Sequence, residues 1–496
     1  MSATIVEIDQ GQSNTSAAVL DGGVLAIFAE TQSDGLYPSQ MYITENETLI
    51  GSQAASGGNR DPSNFVKGWK QFAGTDKVFM AGGTRRTPLE MSALMYRKVV
   101  DDVLGGINKS IDEVTLVATV PVTYDGVTID EYIKALQALG VKVLPQNVFQ
   151  EPLAGVYHFF KSMGADIRGK KVLVIDIGGS TLDVILGVVE AVDQAYRIDV
   201  SRQRGEKLAG SKFDAIVKLE LLRQMKEGGF DEALLNPKDE LMIGKKSISI
   251  KERLSGQKDV HDVINLSFGS FEVNVSYDKY RSDCQALVDS ILDVVGDVRG
   301  SSFEDIDMAV MIGGTSLIPF IRTSLEERFP ELIGKICSDD PLKCVVYGAA
   351  ELAGDMIENS RKGRHVELYT MKCPRTISVT SNKEVDGMKL LRAFPHVMKG
   401  QKSPVTISRV YCIPDNAADV LESDILVSDH ETGDDFDPYD EGVEKLGTLK
   451  IPIPDHKREG TPIQLKVEFL ANGLIVASSE CEGIVSEAKF EWRVVA

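Results

Sequence analysis

The chain has 496 residues, too many for one ordinary hydrophobic core, so two or more domains are expected. A hydrophobic content of 43% and a charged content of 26% are those of a globular protein, and a net charge of −20 excludes a broadly basic nucleic-acid-binding surface. No apolar run is long enough to span a membrane, and residues 1–9 lack a basic-then-apolar signal pattern, so a cytoplasmic location is expected.

The first predicted element is a hairpin, Thr4-Ile-Val-Glu-Ile-Asp9-Gln-Gly11-Gln12-Ser13-Asn14-Thr-Ser-Ala-Ala-Val-Leu20. An apolar strand ends in Asp, a turn with glycine and small hydroxyl residues follows, and a second apolar strand returns. Helical spacing is expected over Pro88–Leu104, Thr128–Leu139 and Pro152–Ser162, with a strand at Val114–Val120. At Gln150-Glu151-Pro152 a proline starts a helix, with Glu151 just before it.

The hairpin then recurs as Val172-Leu-Val-Ile-Asp176-Ile-Gly178-Gly179-Ser180-Thr181-Leu-Asp183-Val-Ile-Leu186. Glycine lets backbone N–H groups approach a phosphate, the hydroxyls add donors, and the Asp at each strand end can hold a divalent cation directly or through water. Two such turns facing each other would clasp a nucleotide triphosphate and its Mg²⁺. One copy alone would more often be just a turn. Neither a G-x-x-x-x-G-K-[ST] loop nor a G-x-G-x-x-G fingerprint competes with this reading.

A helix over Lys212–Met225 and a strand over Met308–Ile312 follow. A third glycine turn, Gly313-Gly314-Thr315, opens onto the helical stretch Pro319–Arg328, where backbone could approach an adenosine and its first phosphate. The small-residue stretch from Val345 to Ala353 reads as a tightly packed helix. Around 358–365 the chain turns polar, and beyond it strand-like alternation replaces helical periodicity. The clearest hairpin there is Gln464–Ala477, turning at Asn472-Gly473, and Phe490, Trp492 and Val494 alternate in a final strand. Within this part Ser428–Lys445 is acidic, lacks the Gly and Glu offsets of a calcium loop, and reads as a mobile solvated loop. The six cysteines (284, 337, 344, 373, 412 and 481) never take C-x-x-C spacing, so neither a zinc site nor a disulfide framework is expected, and no histidine is assigned to catalysis.

Together these motifs resemble the actin-like ATPase superfamily, and within it the DnaK-type heat shock protein 70 family. Asp176-Ile-Gly-Gly-Ser-Thr-Leu-Asp183 is close to the family's D-L-G-G-G-T-F-D, and Gln150-Glu151-Pro152 to its N-E-P. Asn64-Phe-Val-Lys-Gly-Trp-Lys70-Gln-Phe-Ala-Gly74 resembles the segment with the family's catalytic lysine, placing it at Lys70; without that match a surface lysine would be the default. The resemblance covers nearly the whole chain. It implies a two-lobed α/β actin-like nucleotide-binding domain over 1–364, a linker over 365–372 and an all-β sandwich over 373–496. It also implies an ATP-binding chaperone or co-chaperone using ATP/ADP and Mg²⁺, acting with a J-domain partner on unfolded or nascent polypeptide.

The resemblance further implies residue roles. Asp9 and Asp176 would organise Mg²⁺ and its waters, Lys70 would contact the terminal phosphate, and Glu151 and Thr181 would help position the attacking water. Gly11, Gln12, Ser13, Asn14, Gly178, Gly179, Ser180 and Thr181 would surround the phosphates. Gly210, Lys251, Ser255, Gly313, Gly314 and Thr315 would surround the adenosine.

The sequence departs from the family at several points. The first turn reads Gly11-Gln12-Ser13-Asn14 where G-T-T is usual, Ser180 replaces a glycine, Ala209-Gly210 replaces a Gly-Gly pair, and Leu317 stands where an adenine-stacking arginine is usual. The linker's usual Asp-and-leucines pattern is matched only by Val366-Glu367-Leu368-Tyr369. No helical lid follows the β-rich part before residue 496, which resembles the lidless subunit of the ribosome-associated complex, with slow or absent hydrolysis and a ribosome link through the partner. A small-molecule kinase or a nucleotide-gated structural protein on the same fold remains the alternative.

Overall fold

In the computed structural model the described residues are 3–28, 36–124, 126–163, 167–192, 195–300, 306–338, 340–363, 369–371, 373, 375–385, 387–414, 419–454, 459–470 and 474–491. The chain divides into two compact units, the first drawn mainly from residues before 369 and the second mainly from 369 onward.

The first unit contains two sheets built to one plan. In one, the order is Val143–Gln150, Val114–Val120, Thr4–Gln10, Asn14–Asp21, Val24–Phe28. In the other, Ile336–Cys337, Met308–Ile312, Lys171–Ile177, Leu182–Val192 and Ala195–Glu206 follow the same sequence of roles. In each, the central strand runs parallel to a neighbour on one side and antiparallel to its hairpin partner on the other. The central strands are buried almost throughout, which explains their near-continuous apolar runs. Asp9 lies opposite Ser16, and Asp176 opposite Asp183, so each aspartate ends its central strand at an equivalent place. This is the expected actin-like two-lobed α/β architecture.

Helices pack on both sheets. Pro88–Ile107 starts with a capping box, Thr87 accepting from the Glu90 backbone and Glu90 from the Thr87 N–H, with Pro88 at the first helical position. The expected helices appear as Gly126–Ala138, Glu151–Met163 and Gly210–Glu227. Glu151 is the first helical residue rather than the one before it. A short 3₁₀ turn, Gly314–Leu317, intervenes between the third glycine turn and the helix Pro319–Arg328.

Two helices cross beneath the sheets, Glu151–Met163 and Cys344–Arg361. A Cβ on Gly348 would stand only 1.7 Å from the Ala154 carbonyl oxygen, so glycine is what permits this approach. Polar pairs line the same crossing: Tyr157 donates to Asp355, Lys161 reaches Asp355 at 2.7 Å, and His158 Nδ1 lies 3.0 Å from Glu351.

The second unit is an all-β sandwich of two four-stranded antiparallel sheets. One has the order Met388–Val397, Thr376–Val385, Val420–Ser428, Glu444–Pro452. The other runs Val405–Cys412, Pro462–Phe469, Leu474–Cys481, Ile484–Glu491. Alternate residues such as Ile377, Val379, Ile425, Val427, Leu465, Val467, Phe469 and Ile475 fill the core between them. Tyr369–Met371 forms a short strand within the expected linker. The Asn472-Gly473 turn, Trp492, Val494 and the linker residues Val366, Glu367 and Leu368 lie outside the described residues. Among the described residues no helix is long and apolar enough to cross a membrane.

The acidic segment 428–445 is largely the solvated loop expected from its composition, but it is anchored at one point. Ala393 and Phe436 exchange two backbone hydrogen bonds, of 2.9 and 3.1 Å, on the outer strand of the first sandwich sheet. The Phe436 ring is buried with Ala393, Leu426 and, partly, Val443, and His430 stacks on it at 3.9 Å. Asp435 receives Lys383 at 2.5 Å and Arg392 at 2.9 Å. One aromatic anchor and the paired Asp435 therefore dock a segment whose other acidic residues are mostly exposed, with Glu444 and Asp429 paired at its ends to Arg375 and Lys399. Phe436→Ala should lower sandwich stability by about 2–3 kcal/mol and speed amide exchange across 430–440. Unchanged exchange there would contradict the docking.

Candidate functional site

The site is assembled where the two hairpin turns meet. The first turn depends on Gly11, where a Cβ would stand 2.5 Å from the Asn14 carbonyl oxygen. Ser39 braces it, donating from its hydroxyl to the Gly11 carbonyl at 2.7 Å and from its N–H to the Ser13 carbonyl at 2.8 Å. In the second turn the Gly178 N–H donates to the Thr181 carbonyl at 2.9 Å. The turns face each other closely: a Cβ on Gly179 would stand 3.1 Å from both Gln12 Cβ and Ser13 Oγ.

The third turn joins the second through one carbonyl. The Gly178 oxygen accepts the Thr315 hydroxyl at 2.7 Å and the Gly210 N–H at 3.1 Å. Gly210 opens the helix Gly210–Glu227, and a Cβ on it would meet Thr315 Oγ1 at 2.6 Å. Gly313 has φ +80° and stands so near Asp176 that a Cβ would lie 2.5 Å from Asp176 Oδ1. Gly314 follows it as the first residue of the 3₁₀ turn.

Lys70 is buried, not a surface lysine. The strand Phe65–Lys67 ends at Gly68, whose φ of +74° turns the chain, and the buried Trp69 donates to Ser92 Oγ at 3.2 Å. The next residue, Lys70, opens the 3₁₀ turn Lys70–Phe72, and its ammonium group donates to Glu151 and to the Gln10 carbonyl. Burial works against its charge, but Glu151 and then Asp9 outweigh that and hold its pKa above the usual lysine range.

Around Lys70 lie three buried carboxylates, Glu7, Asp176 and Asp183, and two half-buried ones, Asp9 and Glu151. Burial raises Asp9 against the pull of Lys70 and of Thr119, whose hydroxyl donates at 2.8 Å. Asp176 is pushed well above the carboxylate range by burial, then by Glu151, Asp183 and Asp9. Burial likewise raises Glu151 against Lys70. Asp183 is pushed up to about 8 by burial and Glu151. So much like charge in low dielectric calls for protons or a cation. Among the described residues no three His, Cys, Asp or Glu groups converge as direct metal ligands. The carboxylates of Asp9 and Asp176, hard oxygen donors at equivalent strand ends, fit the chemistry of a hydrated divalent cation.

Sequence reading alone left two members of the cluster unassigned. Glu7 sits fully buried on the central strand, and neither of its oxygens has a hydrogen-bond partner in standard geometry. Its signal was a charged residue inside an apolar strand. Asp183 lies inside the second hairpin motif, where its position alone carries no role. Lys251 forms a 2.8 Å ion pair with Asp214, linking two helices, and Ser255 caps the helix Pro237–Leu254. Leu317 is largely exposed at the end of the third turn. Cys344 is buried where its thiol is pushed well up by burial, Asp176 and Asp9, which makes it a poor nucleophile.

The cluster predicts a pH dependence. The Asp183 carboxyl titrates near 3.8 when unperturbed and near 8 when folded. Between those values the folded chain holds the extra proton, so stability falls as pH rises, by at most about 1.4 kcal/mol per pH unit for one group. Asp183→Asn should flatten the melting-temperature slope between about pH 5 and pH 7.5 in metal-free, nucleotide-free protein. Identical slopes in the two proteins would contradict this.

The pattern of the family described as "Hsp70 protein" matches residues 5–396. A protein named "Chaperone protein DnaK" from Elusimicrobium minutum (strain Pei191) is 27% identical over 376 residues, covering 71% of this chain and 58% of that protein. The chain thus aligns with less than two thirds of that relative's length. The match across both the duplicated sheets and the start of the β-rich region, on a site of two facing turns and a third glycine turn, places this chain in the Hsp70 family.

Proposed function

We propose that this protein is an ATP-binding chaperone or co-chaperone of the Hsp70 type, holding Mg-ATP between the two lobes of its first unit. The observation that carries this is the approach of the Gly11–Asn14 and Gly178–Thr181 turns, beside an ion-paired Lys70 and a cluster of five buried or half-buried carboxylates. In this reading 1–364 is the nucleotide domain, 365–372 the linker and 373–496 the sandwich that engages extended apolar segments of polypeptide. A J-domain protein is the proposed partner.

The proposed roles are those that the family resemblance implies. Asp9 and Asp176 would hold Mg²⁺ and its waters, and the ion would supply charge neutralisation for the phosphates. Gly11, Gln12, Ser13, Asn14, Gly178, Gly179 and Ser180 frame the phosphates. Gly210, Gly313, Gly314, Thr315, Lys251 and Ser255 frame the adenosine. Lys70 presents a fixed positive charge to the terminal phosphate, held in place by Glu151 and the Gln10 carbonyl. Glu151 and Thr181 orient a water toward it, so any hydrolysis proceeds by positioning and electrostatics. We further propose that turnover is slow, because the Glu151 carboxylate is tied to Lys70.

The test is nucleotide and peptide binding by the full chain. ATP binding that requires Mg²⁺, together with binding of an extended apolar peptide that changes when ATP is added, supports the reading. Failure to bind ATP removes it, and turnover appearing only with a sugar acceptor would point to a kinase instead.

A further inference from the structure

We infer that Gln12 sets this site's preference between a nucleoside diphosphate and a triphosphate, by lying across the space that a third phosphate would enter. The inference rests on the nucleotide-site reading above and deepens it. Gln12 directly follows Gly11 in the first turn, and its stem lies against the second, since a Cβ on Gly179 would stand 3.1 Å from Gln12 Cβ. Its amide points elsewhere, to the loop that carries Lys70. Gln12 Oε1 accepts the Gln71 N–H at 3.2 Å, and a Cβ on Gly68 would stand 3.2 Å from Gln12 Nε2. One side chain therefore runs from the second turn to the Lys70 loop.

Those segments, the two turns and the Lys70 loop, are the ones that would surround the terminal phosphate. A diphosphate held by the two turns can leave the Gln12 amide in place. A triphosphate reaching toward Lys70 must move that amide and break its bond to Gln71. The amide is neutral, so unlike Lys70 it offers no net charge to offset its displacement. Serine, threonine or alanine at this position is too short to reach Gln71. One net hydrogen bond corresponds to about fivefold in affinity, charged against ATP and not against ADP.

The experiment is calorimetric titration of the full chain with ADP and with ATP, both with Mg²⁺, for the wild type, Gln12→Ala and Gln12→Glu. Wild type should bind ADP more tightly than ATP. Gln12→Ala should shift the ratio of ATP to ADP affinity toward ATP by about fivefold. Gln12→Glu should shift it the other way, because its carboxylate repels the third phosphate. Amide exchange of Gln71 in nucleotide-free protein should quicken in Gln12→Ala, a readout independent of nucleotide. Normal binding of both nucleotides with a Gln12→Ala ratio within about twofold of wild type, or shifted toward ADP, overturns the inference alone. Absence of binding of either nucleotide to the wild type overturns the site reading and the inference with it.

Discussion

Replacing Asp176 by Asn is expected to weaken Mg²⁺-dependent ATP binding by about 100-fold or more, while raising the melting temperature of the nucleotide-free protein. Both effects have one cause. Asp176 is buried at the end of its central strand, where burial, Glu151, Asp183 and Asp9 all oppose its charge. Asn keeps the shape and removes the carboxylate, relieving about 1–3 kcal/mol of unfavourable electrostatics. The same carboxylate is half of the pair proposed to hold the cation, so its loss should fall on binding in Mg²⁺ and spare binding in EDTA. Melting curves and titrations with and without Mg²⁺ check the two halves separately. A variant that melts lower, or that binds Mg-ATP normally, contradicts the account.

Gly348→Val should be strongly destabilising, costing about 4 kcal/mol or more. A Cβ there would stand 1.7 Å from the Ala154 carbonyl oxygen and 2.7 Å from its carbon, backbone atoms that cannot rotate aside. The helices Glu151–Met163 and Cys344–Arg361 must then separate, and with them Glu151, the partner of Lys70. Gly105 provides the control. It lies in the helix Pro88–Ile107 with nothing within 4 Å of its Cβ position, so Gly105→Ala should stabilise by about 0.5–1 kcal/mol on helix propensity alone. Denaturant melts of the two variants check the contrast. Equal stability changes would show that the crossing is looser than described.

The duplicated architecture was legible because it is local. Each hairpin carries its own strand, aspartate and turn within about twenty residues, and the two copies could be compared directly. The third turn and the helix from Pro319 were legible for the same reason, although the 3₁₀ turn Gly314–Leu317 was not. What the sequence could not supply was convergence. Glu7 and Asp183 belong to different strands, and nothing in their spacing says that both lie within reach of Glu151. Gln12 could be seen to be longer than the usual residue, but its contact with Gln71 depends on a partner 59 positions away. Lys70 was assigned by resemblance alone, and only its surroundings explain why a lysine is tolerated in the interior. The anchor of the acidic segment was hidden for a related reason. Composition reports its average charge, whereas its conformation is decided by Phe436 and Asp435.

The central claim is that one nucleotide is held by all three glycine turns. Amide exchange of the full chain with and without Mg-ATP tests it most directly. The account predicts joint protection of Gly11–Asn14, Gly178–Thr181 and Gly313–Thr315. Protection confined to one of these turns, or absent at a concentration of Mg-ATP that saturates binding, would contradict it.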